Sequence, residues 1–370
     1  MRKKITSFNC TLSQDVITNS SEILKNGTLI DGIEVNKFEK KLSKYLNNKN
    51  ILAVSDLSSA IYLILKNLNL KKNDEVISIS YNCLSSTAPI LKAGLKPLWC
   101  DIKTNYPEIS LDHCQKIITK KTKVLILYYI GGYVQNPLAV KKFCQKNNLI
   151  FIEDVNCGLG SKYKNKKLGC FGNYSVFSFY PNRILSSING GAISFPSSKK
   201  LKKIRKEINY GINKKNVNSK NLVTNNNIKN IGFFNKFLNL SASIANKNFN
   251  TLNSKISLIK KNKKFFDLNI NNRYIKKIQN IESYDSVPWV YFLKSKKSNK
   301  IINYLIKNNI ESNKLHYMVH KYKGFSKYSK NNQLKNTEFF YKNIFSIPCG
   351  WWLKESDLKK IVKVINNFNY

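Results

Sequence analysis

Two neighbouring carboxylates, Glu153 and Asp154, close the apolar run at residues 149–152. A short run of this kind reads as a buried strand, and a carboxylate at its C-terminal end lies where α/β sheets place ligands. A second apolar run, residues 174–180, carries Ser178 and leads into a polar turn that holds Arg183. The Gly190–Gly191 pair then permits a tight backbone approach before a third strand at 192–195. Far upstream, Ser55, Asp56, Ser58 and Ser59 open a helix. Free N–H groups and the helix dipole make such an N-terminus a natural phosphate site, although a plain helix cap explains the same residues equally well. Cys83 and Cys157 stand near these stretches, and most free cysteines are simply small buried thiols. The inventory is therefore a carboxylate, several hydroxyls suited to an anion, and one guanidinium. That guanidinium stays charged, so it neither attacks a carbonyl nor carries protons at neutral pH.

These residues need a scaffold, and the chain supplies one by alternation. Residues 32–46 put Val35, Phe38, Leu42 and Leu46 on one helical face. A strand at 51–54 runs into the serine-capped helix. A strand at 74–80, a helix at 85–92 stopped by Gly94, and a strand near 98–100 form a βαβ unit. A strand at 123–130 and a helix at 138–147 lead to the Asp154 strand. Strand–helix alternation to about residue 195 predicts a parallel, doubly wound sheet with right-handed crossovers. Residues 1–30 are polar and weakly periodic. Residues 213–230 are poor in apolar side chains and predict a mobile loop. Residues 233–266 read as one long amphipathic helix leading to a smaller C-terminal α/β domain. The expected division is a large domain at 1–248 and a small one at 249–370.

Composition narrows the function. The chain has 370 residues, 42% hydrophobic and 23% charged, which is a folded protein and not a disordered one. No run approaches the apolar length of a membrane span, and the basic N-terminus lacks the apolar core of a secretory signal. Eight cysteines without a C-x-x-C pair, beside only three histidines, argue against a zinc site and for reduced thiols in the cytoplasm. The formal net charge is +42. Its lysines are spread along the chain among many asparagines, as the codons of an A/T-rich genome would place them. No basic stripe interleaved with aromatics is visible, so the charge does not argue for a nucleic-acid partner.

The order and spacing of several stretches resemble the DegT/StrS sugar aminotransferases, which are fold-type-I enzymes using pyridoxal phosphate (PLP). The stretches are NGTLIDGIEVNKFEKKLSKYLN, DEVI, the ED pair, SKYKNKKLGCFGNYSVFSFYP, GGAI, and the C-terminal LHYMVHKY and IFSIPCGWWLKESDLKKIVKVI. The resemblance covers about residues 20–368. It implies that Asp154 partners the cofactor's pyridine nitrogen and that Ser178 touches its phosphate. Ser58, followed by Ser59, would take the phosphate side, with Leu57 in place of the family's glycine. Cys83 stands where an aromatic commonly stacks on the cofactor ring. Cys157 stands in place of a glutamine, Leu159 in place of a histidine, and Arg183 in place of the lysine that forms the Schiff base. The implied ligands are PLP, non-covalent if bound, and a nucleotide-sugar or other phosphorylated small molecule. The implied setting is surface-polysaccharide synthesis by a cytoplasmic homodimer with no metal and no membrane anchor. With Arg183 at the lysine position, ordinary transamination is not expected. The alternative is a pseudoenzyme acting as a partner subunit or phosphosugar binder.

Overall fold

The structure, a computed structural model, describes residues 4–10, 12–212, 217–218, 223–224, 228, 230–329 and 333–369. Its centre is a seven-stranded sheet of β1 (Ile51–Val54), β2 (Glu75–Ile79), β3 (Lys96–Cys100), β4 (Thr122–Tyr128), β5 (Ile150–Asp154), β6 (Tyr174–Ser178) and β7 (Gly191–Ser194). The strands lie in the order β1-β7-β6-β5-β4-β2-β3. Pairing is parallel from β3 across to β6, and β7 runs antiparallel to both β6 and β1. Apolar runs such as VLILY form such strands because both faces of a parallel sheet are covered. Leu125, Leu127 and Phe151 join the core on one face, whereas Val124, Ile126 and Ile152 join that on the other. This is the two-residue alternation of a strand.

The strand ends nearest the site are drawn together by the glycine pair. Gly191 lies in register with both Val54 and Ser178. A Cβ there would stand 2.5 Å from the Asp56 carbonyl oxygen. Only a residue without a side chain lets β7 pass that close to the start of the helix Leu57–Lys66. Leu57 itself turns into the core beside Ile61 and Ile64, so its bulk points away from the helix N-terminus.

A three-stranded antiparallel sheet, Lys276–Lys277, Tyr291–Lys294 and Ile344–Ile347, builds the C-terminal region. The helices Ser298–Lys307 and Glu355–Asn366 pack on it through Ile301, Leu305, Leu358, Ile361 and Ile365. Ile5 joins the same core and bridges Ile310, which ties the N-terminal segment to this region.

Two local expectations meet a different outcome. The polar start of the chain contains a helix, Gln14–Lys25, which buries Val16. The long helix expected at 233–266 is two helices, Asn239–Asn250 and Leu252–Asn269. At the break the Thr251 hydroxyl bonds the Asn248 carbonyl at 3.1 Å, a local bond that competes with the helix ladder. The loop expected at 213–230 lies largely outside the described residues. Its parts Val217–Asn218 and Val223–Thr224 pair antiparallel.

Candidate functional site

The two carboxylates at the end of β5 have different jobs. Glu153 accepts Tyr129 Oη at 2.8 Å, the N–H groups of Gly169, Phe171 and Gly172 at 3.0, 2.6 and 2.8 Å, and Ser175 Oγ at 3.3 Å. It is a structural anchor for the turn before β6. Asp154 points elsewhere. Ser86 Oγ donates to its Oδ2 at 2.5 Å, and the Asn156 N–H donates to its Oδ1 at 3.0 Å. Burial pushes its carboxyl up to about 6, against the pull of the Ser86 and Asn156 bonds and of Arg183.

Asn156 is the hub of what surrounds Asp154. Its Oδ1 accepts Arg183 Nε at 2.8 Å, and its Nδ2 lies 3.4 Å from Cys83 Sγ. Cys83 precedes the helix Leu84–Lys92, and its thiol also meets Ser85 Oγ at 3.0 Å and Ser86 Oγ at 3.2 Å. Arg183 Nη1 donates to Asn182 Oδ1 at 3.2 Å, and the guanidinium carbon lies 4.1 Å from the centre of the Trp289 ring. A cation over an indole face is favourable, more so when partly desolvated.

Arg183, Asn156, Cys157 and Ser178 line one cavity together with Trp289 and Trp351, and its volume is about 20 Å³. That is room for a single water. Cys157 Sγ lies 3.5 Å from Tyr128 Oη, which sits 2.8 Å from His316 Nε2. Burial pushes the Cys157 thiol up to about 11, with Arg183 pulling the other way. Burial, reinforced by Arg183, pushes His316 down to about 3, so the imidazole is neutral; its ring is enclosed although part of the residue reaches solvent.

The serines at the first helix are committed locally. Ser59 N–H and Oγ donate to Asp56 at 2.8 and 2.7 Å, and Ser58 Oγ donates to the Ser85 carbonyl at 2.9 Å. The structure thus gathers Cys83, Asp154, Cys157, Ser178 and Arg183, links Ser58 through the next helix, and leaves Ser59 in its own cap. Sequence reasoning passed over Ser86, Asn156, Trp289 and His316. Ser86 lies one helical turn from Cys83, a spacing that could have found it; the others arrive only through the fold. Lys255 was also missed. Its Nζ lies 4.9 Å from the Trp351 ring centre and 3.5 Å from Asn248 Oδ1, and burial pushes it down to about 8.

Among the described residues no group of three or more His, Cys, Asp or Glu could hold a metal ion, and no helix is long and apolar enough to cross a membrane.

The profile of the family described as "DegT/DnrJ/EryC1/StrS aminotransferase family" matches residues 11–366. GDP-perosamine synthase of Vibrio cholerae is 28% identical over 181 residues, 49% of each chain. The spore coat polysaccharide biosynthesis protein SpsC of Bacillus subtilis is 27% identical over 203 residues, 55% of this chain and 52% of its own. The chain therefore spans about half the length of these curated relatives. The dTDP-3-amino-3,6-dideoxy-alpha-D-galactopyranose transaminase of Aneurinibacillus thermoaerophilus matches at 23% over 98% of both chains. Among solved structures, Helicobacter pylori PseC, an aminotransferase involved in pseudaminic acid biosynthesis, superposes with a TM-score of 0.91 at 21% identity over 98% of both chains. The putative sugar aminotransferase Spr1654 of Streptococcus pneumoniae, solved in its PLP form, gives 0.90 at 19% over 98% of both chains. At such identities the structural likeness shows the fold, an α/β fold-type-I architecture.

PLP does not fit these residues as they are packed. The resemblance puts a group stacked on the cofactor ring at Cys83, and a ring lying against that side chain needs a free contact distance of about 3.5 Å there. Asn156 Nδ2 and Cys83 Sγ are 3.4 Å apart in direct contact. The neighbouring cavity holds about 20 Å³, against the roughly 300 Å³ at which ligand pockets begin.

Proposed function

Because the chain belongs to the DegT/DnrJ/EryC1/StrS aminotransferase family, we propose that it binds a nucleotide-linked sugar in surface-polysaccharide biosynthesis without carrying out ordinary transamination. Relatives named for GDP-perosamine, spore coat polysaccharide and lipopolysaccharide biosynthesis support the sugar and the setting. The observation that carries the second half is Arg183. The sequence resemblance puts it where the family's Schiff-base lysine stands, and its guanidinium is bonded to Asn156 and laid on Trp289. Lysine serves because its amine sheds a proton and becomes a nucleophile; a guanidinium does not.

The chain's own residues support binding better than turnover. Arg183 keeps a positive charge beside Asp154, His316 stays neutral, and the partly exposed Trp351 offers an apolar surface against which a sugar ring can lie. The place of action is the cytoplasm, in keeping with eight free cysteines. The assembly is a homodimer. Leu29, Ile30, Ile33, Phe233, Phe234 and Leu238 are exposed on two segments joined by the bonds Asn239 N–H to Ile30 O and Leu240 N–H to Leu29 O, and this apolar face is suited to a second copy.

A second reading, an enzyme that uses PLP without a covalent link, draws on the retained buried Asp154 with its Ser86 partner. An assay with a keto-sugar nucleotide, glutamate and PLP separates the two. The expected result is no amino transfer by the wild type and, for Arg183→Lys, a borohydride-reducible covalent PLP adduct. Amino transfer by the wild type that Lys255→Met abolishes would overturn the assignment and name Lys255 as the working amine.

A further inference from the structure

Arg183 does more than fail to be a lysine. We propose that it is a built-in plug, filling the space beside Asp154 and supplying there the positive charge that a bound cofactor would bring, so that the protein folds complete without one. The inference rests on packing and charge in this chain and stands apart from the sugar assignment.

The plug is braced by Asn156, Asn182 and Trp289. Asn156 Oδ1 and Asn182 Oδ1 accept its Nε and Nη1 at 2.8 and 3.2 Å. Its flat face lies on Trp289, which is itself fixed by Nε1–H donating to the Asn182 carbonyl at 2.9 Å. Phe8 stacks on Trp289 with ring centres 4.4 Å apart and an interplanar angle of 27°. The segment bearing Phe8 is tied down in turn. Trp352 Nε1–H donates to the Thr6 carbonyl at 3.2 Å, Ser7 N–H donates to Glu311 Oε2 at 2.8 Å, and Ile5 bridges Ile310. A long charged side chain loses much rotamer freedom when fixed, so this many restraints signal a designed position and not a stray surface arginine.

The charge argument is independent. Asp154 is wholly buried, and a buried carboxylate is costly unless a counter-charge is near. Arg183 is the cation that offsets burial at Asp154 and also at Cys157 and Tyr128. Asn156 completes the closure: its side-chain amide reaches from the arginine to Cys83, and its backbone N–H donates to the Asp154 carboxylate.

The test uses the full-length protein and PLP itself. Wild-type protein incubated with PLP and desalted should show no retained visible PLP band, and PLP should leave its Tm unmoved. Arg183→Ala and, separately, Asn156→Ala should each gain a saturable rise in Tm on PLP addition. A wild-type Tm that rises with PLP, or a retained band, overturns the plug while leaving the absence of transamination intact. So does a folded Arg183→Ala that ignores PLP. The charge half is read from Tm against pH. In Arg183→Ala the stability gain on acidification that Asp154 contributes should begin at higher pH than in the wild type, and an unshifted profile overturns it.

Discussion

Asp154 and His316 both feel Arg183, and burial moves them to opposite effect. Asp154 rises from 3.8 to about 6 in the folded state. Between those values the folded protein holds a proton that the unfolded chain has lost, so this group adds stability as pH falls through about 6, worth roughly 3 kcal/mol across the window. His316 falls from 6.5 to about 3. Over that range the unfolded chain gains the proton, so this group removes stability as pH falls. The two oppose each other in overlapping windows. Asp154→Asn should therefore steepen the acid loss of stability between pH about 6 and about 4, whereas His316→Gln should make it shallower. Urea denaturation at a series of pH values reads both slopes, and identical profiles for the three proteins would contradict the assignment.

At the scale of elements, the site depends on how strand ends are brought to one place. Glu153 holds the 169–172 turn with three backbone N–H bonds. Glu153→Ala would orphan those buried donors and should cost about 3 kcal/mol or more, read by chemical denaturation. Gly191→Ala should cost about 1–3 kcal/mol by overpacking, since its Cβ would press on Asp56 backbone 2.5 Å away. A Gly191→Ala protein as stable as the wild type would mean that β7 and the helix Leu57–Lys66 can part without penalty. Hydrophobic pattern announces these strands and helices well, because burial on both faces leaves uninterrupted apolar runs. It misses the break at Thr251, where a side-chain bond outweighs a pattern that continues through it.

For the whole molecule, the exposed apolar segments around Ile33 and Phe233 are the place where a second copy would settle, 66% and 67% exposed as they stand. The double variant Ile33→Asp/Phe233→Asp should be monomeric by light scattering at micromolar concentration, where the wild type should be a dimer; a monomeric wild type would sink the assignment. The face borders the start of the first site helix, since Ser55 N–H bonds the Asn235 carbonyl at 2.9 Å. What the sequence determined by itself is local: the alternation that makes a parallel sheet, a carboxylate at a strand end, and an arginine in the turn before a glycine pair. Each follows from periodicity or from the chemistry of a single side chain. Tertiary structure alone decided which of two adjacent carboxylates faces the site. Neighbours on a strand point to opposite sides, and only the folded turn at 169–172 shows which one is claimed. It also decided that Trp289, backed by Phe8, lies against Arg183 and that His316 feels its charge. Their side chains come from segments far apart in the chain, and no local pattern encodes the docking of the N-terminal segment and C-terminal region onto the large sheet.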